Sequence, residues 1–208
     1  MELTKLSVEE FARVLGSDAP APGGGSAAAL AGVLGASLAA MVCALTAEKK
    51  KYAEFTQLAE DSRIKALGLQ AELLDAIDLD TAAFEQVSAA YGLPKGTVEE
   101  KAVRSAAIQK GLTACIESPL AIMQLCEESL RLAKSISNGY NLSAASDLGV
   151  CVLMLRAGLL GAWLNVKINL GSLKDRELAE VFRRRGEAIL SECLPLAEEL
   201  YAAIEAML

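Results

Sequence analysis

The fold is decided by residues 20–47, which read PAPGGGSAAALAGVLGASLAAMVCALTA. Two prolines and three consecutive glycines forbid regular structure up to Ser26, whose hydroxyl we expect to cap the helix that follows. No charged residue occurs between Ser26 and Ala47. A helix this apolar either crosses a membrane or is enclosed by protein.

The composition of this helix favours enclosure by protein. Ala, Gly and Ser outnumber the Leu, Ile and Phe residues whose transfer energies favour a bilayer, and the segments that follow are strongly charged. A chain of 208 residues has limited means of covering such a helix alone. We therefore predict a central helix buried on all sides, no membrane association, and self-association. Small residues that would allow close helix approach are Ala28, Gly32, Gly35, Ala36 and Ala39.

The rest of the chain is also predicted to be helical, because apolar residues recur at helical spacing and no segment alternates like a strand. The expected segments are Ser7 to Gly16, about Lys51 to Tyr91, Thr97 past Ala133, Leu148 to Val166, and about Asp175 to the C-terminus. Arg156 alone is charged within 148–166, so this is a second unusually apolar core helix. Pro119 and Pro195 should kink their helices. We predict one all-α domain over residues 1–208, a bundle of about six helices.

Composition excludes several classes of function. The net charge of −7 and a pI near 4.8 argue against a nucleic-acid binder, which needs clustered Lys and Arg to neutralise phosphates. The chain has no histidine, which removes Ser/His/Asp and Cys/His nucleophile systems and the common transition-metal sites. The five cysteines lie singly, so we expect buried thiols, no metal site and a reducing cytoplasm. The charged, amphipathic first residues predict no signal peptide and a cytoplasmic location.

The loop before the apolar helix is the clearest candidate binding element. Pro22, Gly23, Gly24, Gly25 and Ser26 precede a helix start, where free amides and the positive dipole end attract anions. No Gly-Lys-Ser/Thr follows and no strand precedes, so it is neither a Walker loop nor a dinucleotide fingerprint. The alternative is a glycine-rich turn required only for tight helix packing.

The stretch from Pro20 to Ser26, followed by an Ala/Gly/Leu helix, resembles the opening of the cyclodeaminase domain of formiminotransferase-cyclodeaminase, in the cyclodeaminase/cyclohydrolase family. The likeness covers essentially the whole chain, and because the transferase half is absent it resembles the stand-alone bacterial form. The later landmarks occur in the family's order: Asp80 with Ala83, Phe84 and Val87; Leu93-Pro94-Lys95; Glu100, Arg104 and Ile108-Gln109; Pro119-Leu120; Ser146-Asp147-Leu148-Gly149-Val150; Gly161-Ala162 with residues 165–170.

The resemblance implies an all-helical homodimer that acts at the carbon joining N5 and N10 of tetrahydrofolate, including polyglutamylated forms. In cyclodeamination N10 attacks a formimino carbon and ammonia leaves, whereas in cyclohydrolysis water attacks a methenyl carbon and the ring opens. Both pass through a tetrahedral carbon and need proton transfer, but neither needs a metal or a cofactor beyond the folate substrate. The sequence leaves the two reactions open. The alternative is a non-catalytic folate-binding or scaffold protein of the same fold.

Asp80, Asp147 and Lys95 are the candidate proton-transfer residues. Both aspartates have apolar or small neighbours, and desolvation of a carboxyl group favours its neutral, proton-carrying form. Asp147 could instead serve only as a first-turn residue favoured by the helix dipole, and Asp80 could belong to a solvated face. Lys95 lies in a predicted loop, where a solvated lysine is also common.

Further residues are candidates for substrate binding. Asn165 and Asn169 lie one turn apart and could offer two amides to the pterin edge, or could cap a helix end. The family usually has an Asn three residues before Ser146-Asp147; here that position is Ser143, and Asn141 lies two residues earlier, a departure that bears on substrate choice. The basic residues that could attract a glutamate tail are Lys49, Lys50, Lys51, Arg104 and Lys167.

Overall fold

The computed structural model describes residues 2–208, and within them it contains six α-helices and no β-strand, which confirms the all-α prediction. Three short 3₁₀ helices occupy Leu3–Lys5, Lys50–Phe55 and Leu142–Ala144. The α-helices are α1 (Val8–Leu15), α2 (Gly24–Ala47), α3 (Thr56–Tyr91), α4 (Val98–Ile136), α5 (Ala145–Leu170) and α6 (Arg176–Glu205).

Three helices begin where side-chain capping predicts. Ser7 Oγ accepts a hydrogen bond from the Glu10 amide at 3.2 Å, while the Glu10 carboxylate accepts one from the Ser7 amide at 3.0 Å. Thr97 and Glu100 form the same reciprocal capping box at the start of α4, at 3.1 and 3.0 Å. Asp175 caps α6 by accepting from the Leu178 amide at 2.9 Å. α4 and α6 continue through Pro119 and Pro195, and a kink at each stays a prediction.

The prediction that Ser26 caps α2 is wrong. The cap is Gly23, and the helix begins at Gly24, so that Ser26 lies inside the first turn. Ser26 is completely buried and its hydroxyl is directed toward α3 instead of its own helix start. Glycine is an adequate cap residue, and the serine is thereby available for a tertiary contact.

Helices α2, α3, α4 and α5 pack against one another around a single apolar cluster, and α6 covers α5 and α4. α2 and α5 are antiparallel, since Gly24 faces Asn165 while Gly35, later in α2, faces Leu155, which is earlier in α5. Their backbones approach closely: a Cβ on Gly158 would lie 2.9 Å from the Ala28 carbonyl oxygen. The small residues of α2 therefore permit the close approach that the sequence predicts.

The prediction that α2 is buried on all sides is wrong for this chain alone. Leu34 keeps 48% of its surface exposed, and Met41 and Leu45 are exposed on the same side. α2 and residues 142–170 are long and apolar enough to cross a membrane by length and composition, yet 56% and 50% of their most apolar windows are buried inside the bundle. α3, α5 and α4 all contact α2, and these exposed side chains lie on the part of its surface that none of them covers.

Candidate functional site

A cavity of about 330 Å³ lies where the start of α2 meets the middle of α3 and the last turns of α5. This volume is at the lower end of the range for small-molecule sites. The loop and α2 contribute Pro20, Ala21, Gly23, Gly24, Gly25 and Ser26; α3 contributes Asp80, Thr81 and Phe84; α4 contributes Cys115; and α5 contributes Asn165, Ile168 and Asn169.

Asp80 is the acidic residue of the cavity, and it is held against the start of α2. Ser26 Oγ donates to Asp80 Oδ2 at 3.3 Å and lies 3.4 Å from Thr81 Oγ1. The Ser26 backbone amide also donates to the Asp80 carboxyl group. A Cβ on Gly25 would overlap both carboxyl oxygens, so only glycine at this position allows the carboxyl group to pack on the backbone. The predicted proton-transfer role of Asp80 thus has a defined site.

Burial raises the pKa of Asp80 above its ordinary value, although the two hydrogen bonds from Ser26 act in the opposite direction. Desolvation dominates because the carboxylate loses water and gains only two donors. The positive end of the α2 dipole also faces this carboxyl group. Asp80 is therefore a carboxyl group that can hold a proton and donate it to a basic atom of a ligand in the cavity.

The glycine loop supplies backbone donors to the same cavity. The first backbone amides of a helix have no intrahelical acceptor, and here they belong to Gly24, Gly25 and Ser26. The Ser26 amide is used by Asp80, which leaves those of Gly24 and Gly25 for a ligand. The first amide of α2 with a partner in its own turn is that of Ala27, which donates to the Gly23 carbonyl at 3.0 Å. Pro22 is buried and does not line the cavity. The loop is thus part of a binding cavity and also a close packing element.

Asn165 and Asn169 lie on the opposite wall, and both line the cavity as predicted from their spacing. Their amide nitrogens are used within the protein: Asn165 Nδ2 donates to the Gly161 carbonyl at 2.9 Å, and Asn169 Nδ2 donates to the Asn165 carbonyl at 2.9 Å and to the Cys115 carbonyl at 3.3 Å. They do not cap α5, which ends at Leu170 and has Gly171 as its cap residue. Each side chain retains an oxygen that can accept a hydrogen bond from a ligand N–H group.

The cavity contains six residues that the sequence did not identify as site residues, namely Pro20, Ala21, Thr81, Phe84, Cys115 and Ile168. Thr81 and Phe84 follow Asp80 by one residue and by one helical turn, so helical spacing from Asp80 could have found both. Ile168 lies between the two asparagines. Burial, and secondarily the Asp80 charge, raises the pKa of the Cys115 thiol to about 11, so the thiol is neutral and contributes packing and not a nucleophile.

Lys95 and Arg104 lie outside the cavity lining. Lys95 is exposed in the loop between α3 and α4. The Arg104 guanidinium donates to the Tyr91 carbonyl at 3.0 Å from Nη2 and lies 5.6 Å from the centroid of the Tyr91 ring. Arg104 thus ties the end of α3 to α4. The lysine run 49–51 and Lys167 do not line the cavity either.

The second predicted group, Asn141, Ser143, Ser146 and Asp147, lies at the other end of α5. Asn141 is buried and structural: its Nδ2 donates to the Leu45 carbonyl at 3.2 Å, and its Oδ1 accepts from the Ser143 amide at 3.1 Å. Asp147 is in the first turn of α5. Asp147 and Asn165 are 18 residues apart, which corresponds to about 27 Å along the helix. Within one chain the structure does not bring Asp80 and Asp147 together.

The described residues contain no group of three or more Cys, Asp or Glu side chains that could hold a metal ion. The arrangement offers instead one buried carboxyl group, free backbone amides and amide oxygens around a small cavity. These groups suit the positioning and protonation of a nitrogen-rich organic ligand.

Residues 7–188 match the sequence profile described as Formiminotransferase-cyclodeaminase. The chain belongs to this family. Among members of the formiminotransferase-cyclodeaminase family, a methenyltetrahydrofolate cyclohydrolase from Methylorubrum extorquens is 43% identical over 199 residues, which cover 96% of both chains. The family resemblance inferred from the motifs is thereby confirmed.

Two further comparisons extend the likeness. The formimidoyltransferase-cyclodeaminase of Rattus norvegicus is 33% identical over 209 residues, which span 98% of this chain and 38% of the rat protein. Among solved structures, the formiminotetrahydrofolate cyclodeaminase of Thermotoga maritima has a TM-score of 0.80 at 26% identity and covers 98% of this chain. The formiminotransferase-cyclodeaminase relatives therefore include both cyclohydrolases and cyclodeaminases.

Proposed function

We propose that this protein is a folate one-carbon enzyme that hydrolyses the bridge of 5,10-methenyltetrahydrofolate, with Asp80 as its proton donor. The observation that carries the proposal is the desolvated Asp80 carboxyl group, held by Ser26 and Gly25 at the wall of a cavity with free amide donors and acceptors. Cyclohydrolysis is the first choice because the relative that is 43% identical over 96% of both chains is named for that reaction.

In this proposal the cavity holds the bicyclic ring and the bridge carbon of methenyltetrahydrofolate, and the glutamate tail of the substrate lies outside it. The oxygens of Asn165 and Asn169 would accept hydrogen bonds from the pterin N–H groups, and Phe84 would provide an apolar face for the ring. The protonated Asp80 carboxyl group would lie beside the bridge, from where it can donate its proton to N5 as the ring opens. This arrangement holds the bridge carbon near a proton donor.

Ring hydrolysis needs one proton to be delivered to nitrogen. Water attacks the bridge carbon, a C–O bond forms, and the proton of the water passes to solvent. The C–N5 bond then breaks as the C=O bond forms, Asp80 donates its proton to N5, and the hydroxyl proton is released. Asp80 regains a proton from solvent, so each turnover opens one ring and releases one proton. Its raised pKa keeps the donor protonated at a higher pH than an exposed aspartate.

Cyclodeamination of 5-formiminotetrahydrofolate is the second candidate, favoured by the shared fold with the Thermotoga maritima cyclodeaminase. In that reaction N10 attacks the formimino carbon, and Asp80 would donate its proton to the leaving amino group so that ammonia departs. The same cavity residues would bind the folate in both reactions. Neither reaction changes an oxidation state, and we propose no cofactor beyond the folate.

The test is the methenyl absorbance over time with purified protein, starting from each substrate in turn. We expect an accelerated fall with 5,10-methenyltetrahydrofolate, and a loss of about 100-fold in rate in Asp80→Asn. Asp75→Asn, an exposed carboxylate on the same helix, is the matched control and should retain the rate. An accelerated rise with 5-formiminotetrahydrofolate alone would select cyclodeamination. Folate binding without turnover of either substrate would overturn the enzymatic proposal in favour of a binding protein.

A further inference from the structure

A second cavity, of about 290 Å³, lies near the start of α4 and has a basic lining. Among residues 2–208 its lining contains three cationic side chains and no acidic one, although the chain has a net charge of −7. We call this cavity the basic pocket. Its lining residues are Lys101, Arg104, Ser105, Ile108 and Gln109 of α4 and Lys174 of the segment between α5 and α6. Positive charge concentrated in a concave surface attracts anionic ligands.

The cations of the basic pocket are not neutralised by carboxylates of the described residues. None of Lys101, Arg104 and Lys174 belongs to an ion pair, whereas cations elsewhere on α4 and α6 pair with glutamates. The two carboxylates that neighbour them in the sequence, Glu100 and Asp175, cap the starts of α4 and α6. The positive charge of the pocket is therefore available to a ligand.

Hydrogen bonds hold two of these cations in place without using all of their donors. Lys174 Nζ donates to Ser105 Oγ at 2.6 Å, and the other N–H groups of its ammonium have no acceptor within residues 2–208. The Arg104 guanidinium donates to the Tyr91 carbonyl from Nε at 3.3 Å and from Nη2 at 3.0 Å, and its Nη1 has no acceptor in the same part of the chain. The remaining N–H groups can bind carboxylates.

The basic pocket lies on the same face of α4 as the cavity beside Asp80. Lys101, Ile108 and Cys115 follow one another at intervals of seven residues, and seven residues make about two whole turns of an α-helix. Lys101 and Ile108 line the basic pocket, whereas Cys115 lines the cavity. Ile108 and Cys115 are about 10 Å apart along the helix axis, at 1.5 Å per residue.

The segment that follows α5 connects the two concave surfaces. Asn169, which lines the cavity, donates from Nδ2 to the Cys115 carbonyl at 3.3 Å. Gln109 Nε2 donates to the Ser172 carbonyl at 3.3 Å, and Gln109 Oε1 accepts from the Lys174 amide at 2.6 Å. The chain thus runs along α4 from the wall of the cavity to the basic pocket between Asn169 and Lys174. A ligand longer than the cavity can follow the same path.

We propose that the basic pocket binds the γ-linked glutamate tail of the folate substrate and gives this protein a preference for folates with several glutamates. The inference rests on the proposed function, because it places the bicyclic ring in the cavity beside Asp80. The aminobenzoyl group would then span the interval along α4, and the carboxylates of the tail would meet Lys101, Arg104 and Lys174. Each additional glutamate adds one carboxylate, so a longer tail gains a further attraction to the pocket.

Folates with tails of different length test the pocket by binding alone. In calorimetric titration of the wild type, 5-formyltetrahydrofolate triglutamate should bind about tenfold more tightly than the monoglutamate, at a few-fold for each added exposed charge pair. In a Lys101→Gln/Lys174→Gln chain this advantage should fall below about twofold, because two of the three cations are gone. An advantage that survives this double substitution, or equal affinities in the wild type, would overturn the proposal.

A second double variant controls for the change in net charge. Lys65→Gln/Lys110→Gln removes two exposed lysines from α3 and α4 that line neither the cavity nor the basic pocket. The triglutamate advantage should remain about tenfold in this chain, as in the wild type. Loss of the advantage in both double variants would show that net charge alone attracts the tail, and would overturn the assignment to the basic pocket.

A tail without a pterin separates failure of this proposal from failure of the proposed function. p-Aminobenzoyl triglutamate should compete with 5-formyltetrahydrofolate triglutamate for the wild type but not for Lys101→Gln/Lys174→Gln, whether or not the protein turns over either folate substrate. Binding of free γ-linked triglutamate, together with folate affinities that do not depend on tail length, would assign the pocket to a separate carboxylate ligand and overturn the proposal.

Discussion

At the scale of single residues, burial of the Asp80 carboxyl group lowers the stability of the fold but supports the proposed chemistry. Its carboxyl group is desolvated against Gly25, yet it accepts hydrogen bonds from Ser26. Burial of a carboxylate costs free energy unless hydrogen bonds or opposite charges compensate it fully. The two hydrogen bonds from Ser26 compensate the Asp80 charge only in part. The same incomplete compensation raises the pKa of Asp80, as the proposed role of proton donor requires.

The first prediction concerns the stability of Asp80→Asn. An Asp whose pKa is raised by folding binds more protons in the folded state, so its contribution to the free energy of unfolding decreases as pH rises above the ordinary Asp value. The Asn amide stays neutral at every pH, so the Asp80→Asn variant avoids this loss of stability. Asp80→Asn should therefore have a higher Tm than wild type at pH 7, and the difference should narrow as the pH is lowered toward about 4. Thermal unfolding at several pH values measures this, and an equal or lower Tm at pH 7 would contradict it.

A second residue-scale prediction concerns Asn165. Its free amide oxygen is assigned to a pterin N–H group, and loss of such a hydrogen bond costs about 1 kcal/mol. Asn165→Ala should raise KM about fivefold, on the basis of about 1.4 kcal/mol per factor of ten, and change kcat little. Asn138→Ala, at an exposed position after α4, is the control. An unchanged KM in initial-rate measurements would show that Asn165 does not contact the substrate.

At the scale of helices, close contact of α2 with α5 positions both walls of the cavity. The contact depends on small residues in each helix: Gly32, Gly35 and Ala28 on α2 face Gly158 and Leu155 on α5. A helix–helix distance set by backbone contact leaves little freedom for sliding. The position of Asn165 opposite Gly24 therefore follows from packing 10 Å or more away along the helices, at about 1.5 Å per residue.

The corresponding prediction is that Gly158→Ala is destabilising. Its Cβ would lie 2.9 Å from the Ala28 carbonyl oxygen and 3.1 Å from the Gly32 amide nitrogen, so α2 and α5 must separate. Overpacking of this kind costs about 1–3 kcal/mol, or a fall in Tm of about 5 °C for a chain of this size. Gly68→Ala on α3, where a Cβ meets nothing within 4 Å, should instead raise Tm slightly through helix propensity. Equal effects of the two substitutions would contradict this account of the interface.

At the scale of the whole molecule, the chain has a buried apolar cluster and a smaller set of exposed apolar side chains. One apolar cluster is enclosed by the helices, and several exposed apolar side chains remain outside it: Leu34, Met41 and Leu45 on α2 and Leu164 and Ile168 on α5. Ile168 is 76% exposed and also lines the cavity, so a second copy that packed on this face would also border the cavity. Assembly and catalysis would then depend on the same residues.

The homodimer that the family resemblance implies predicts, if one chain lacks a complete site, that specific activity falls on dilution. Below the dissociation constant of the dimer, the enzyme should lose activity in parallel with the sedimentation change from dimer to monomer, and activity should return on concentration. Activity per chain measured over a dilution series after equilibration provides the test. A specific activity that stays constant through the monomer transition would show that one chain carries a complete site.

The sequence by itself determined the all-α class, the six helices, the family and the glycine loop, because these depend on local signals. The capping boxes at Ser7 and Thr97, the break at Pro20–Gly23 and the helical spacing act within a few residues along the chain. It also identified Asp80 and the two asparagines through motif and spacing, and the structure places these residues at one cavity.

Only the tertiary structure decided which of these residues meet. Ser26 and Asp80 are 54 residues apart in the chain, and their contact depends on how α2 and α3 are rotated about their axes. Rotation and register come from packing of small residues that local patterns do not specify, which is why Ser26 was expected to be a cap and α2 to be fully buried. The same packing separates Asp147 from Asp80 by most of the length of α5, since a straight helix cannot bring its two ends to one site.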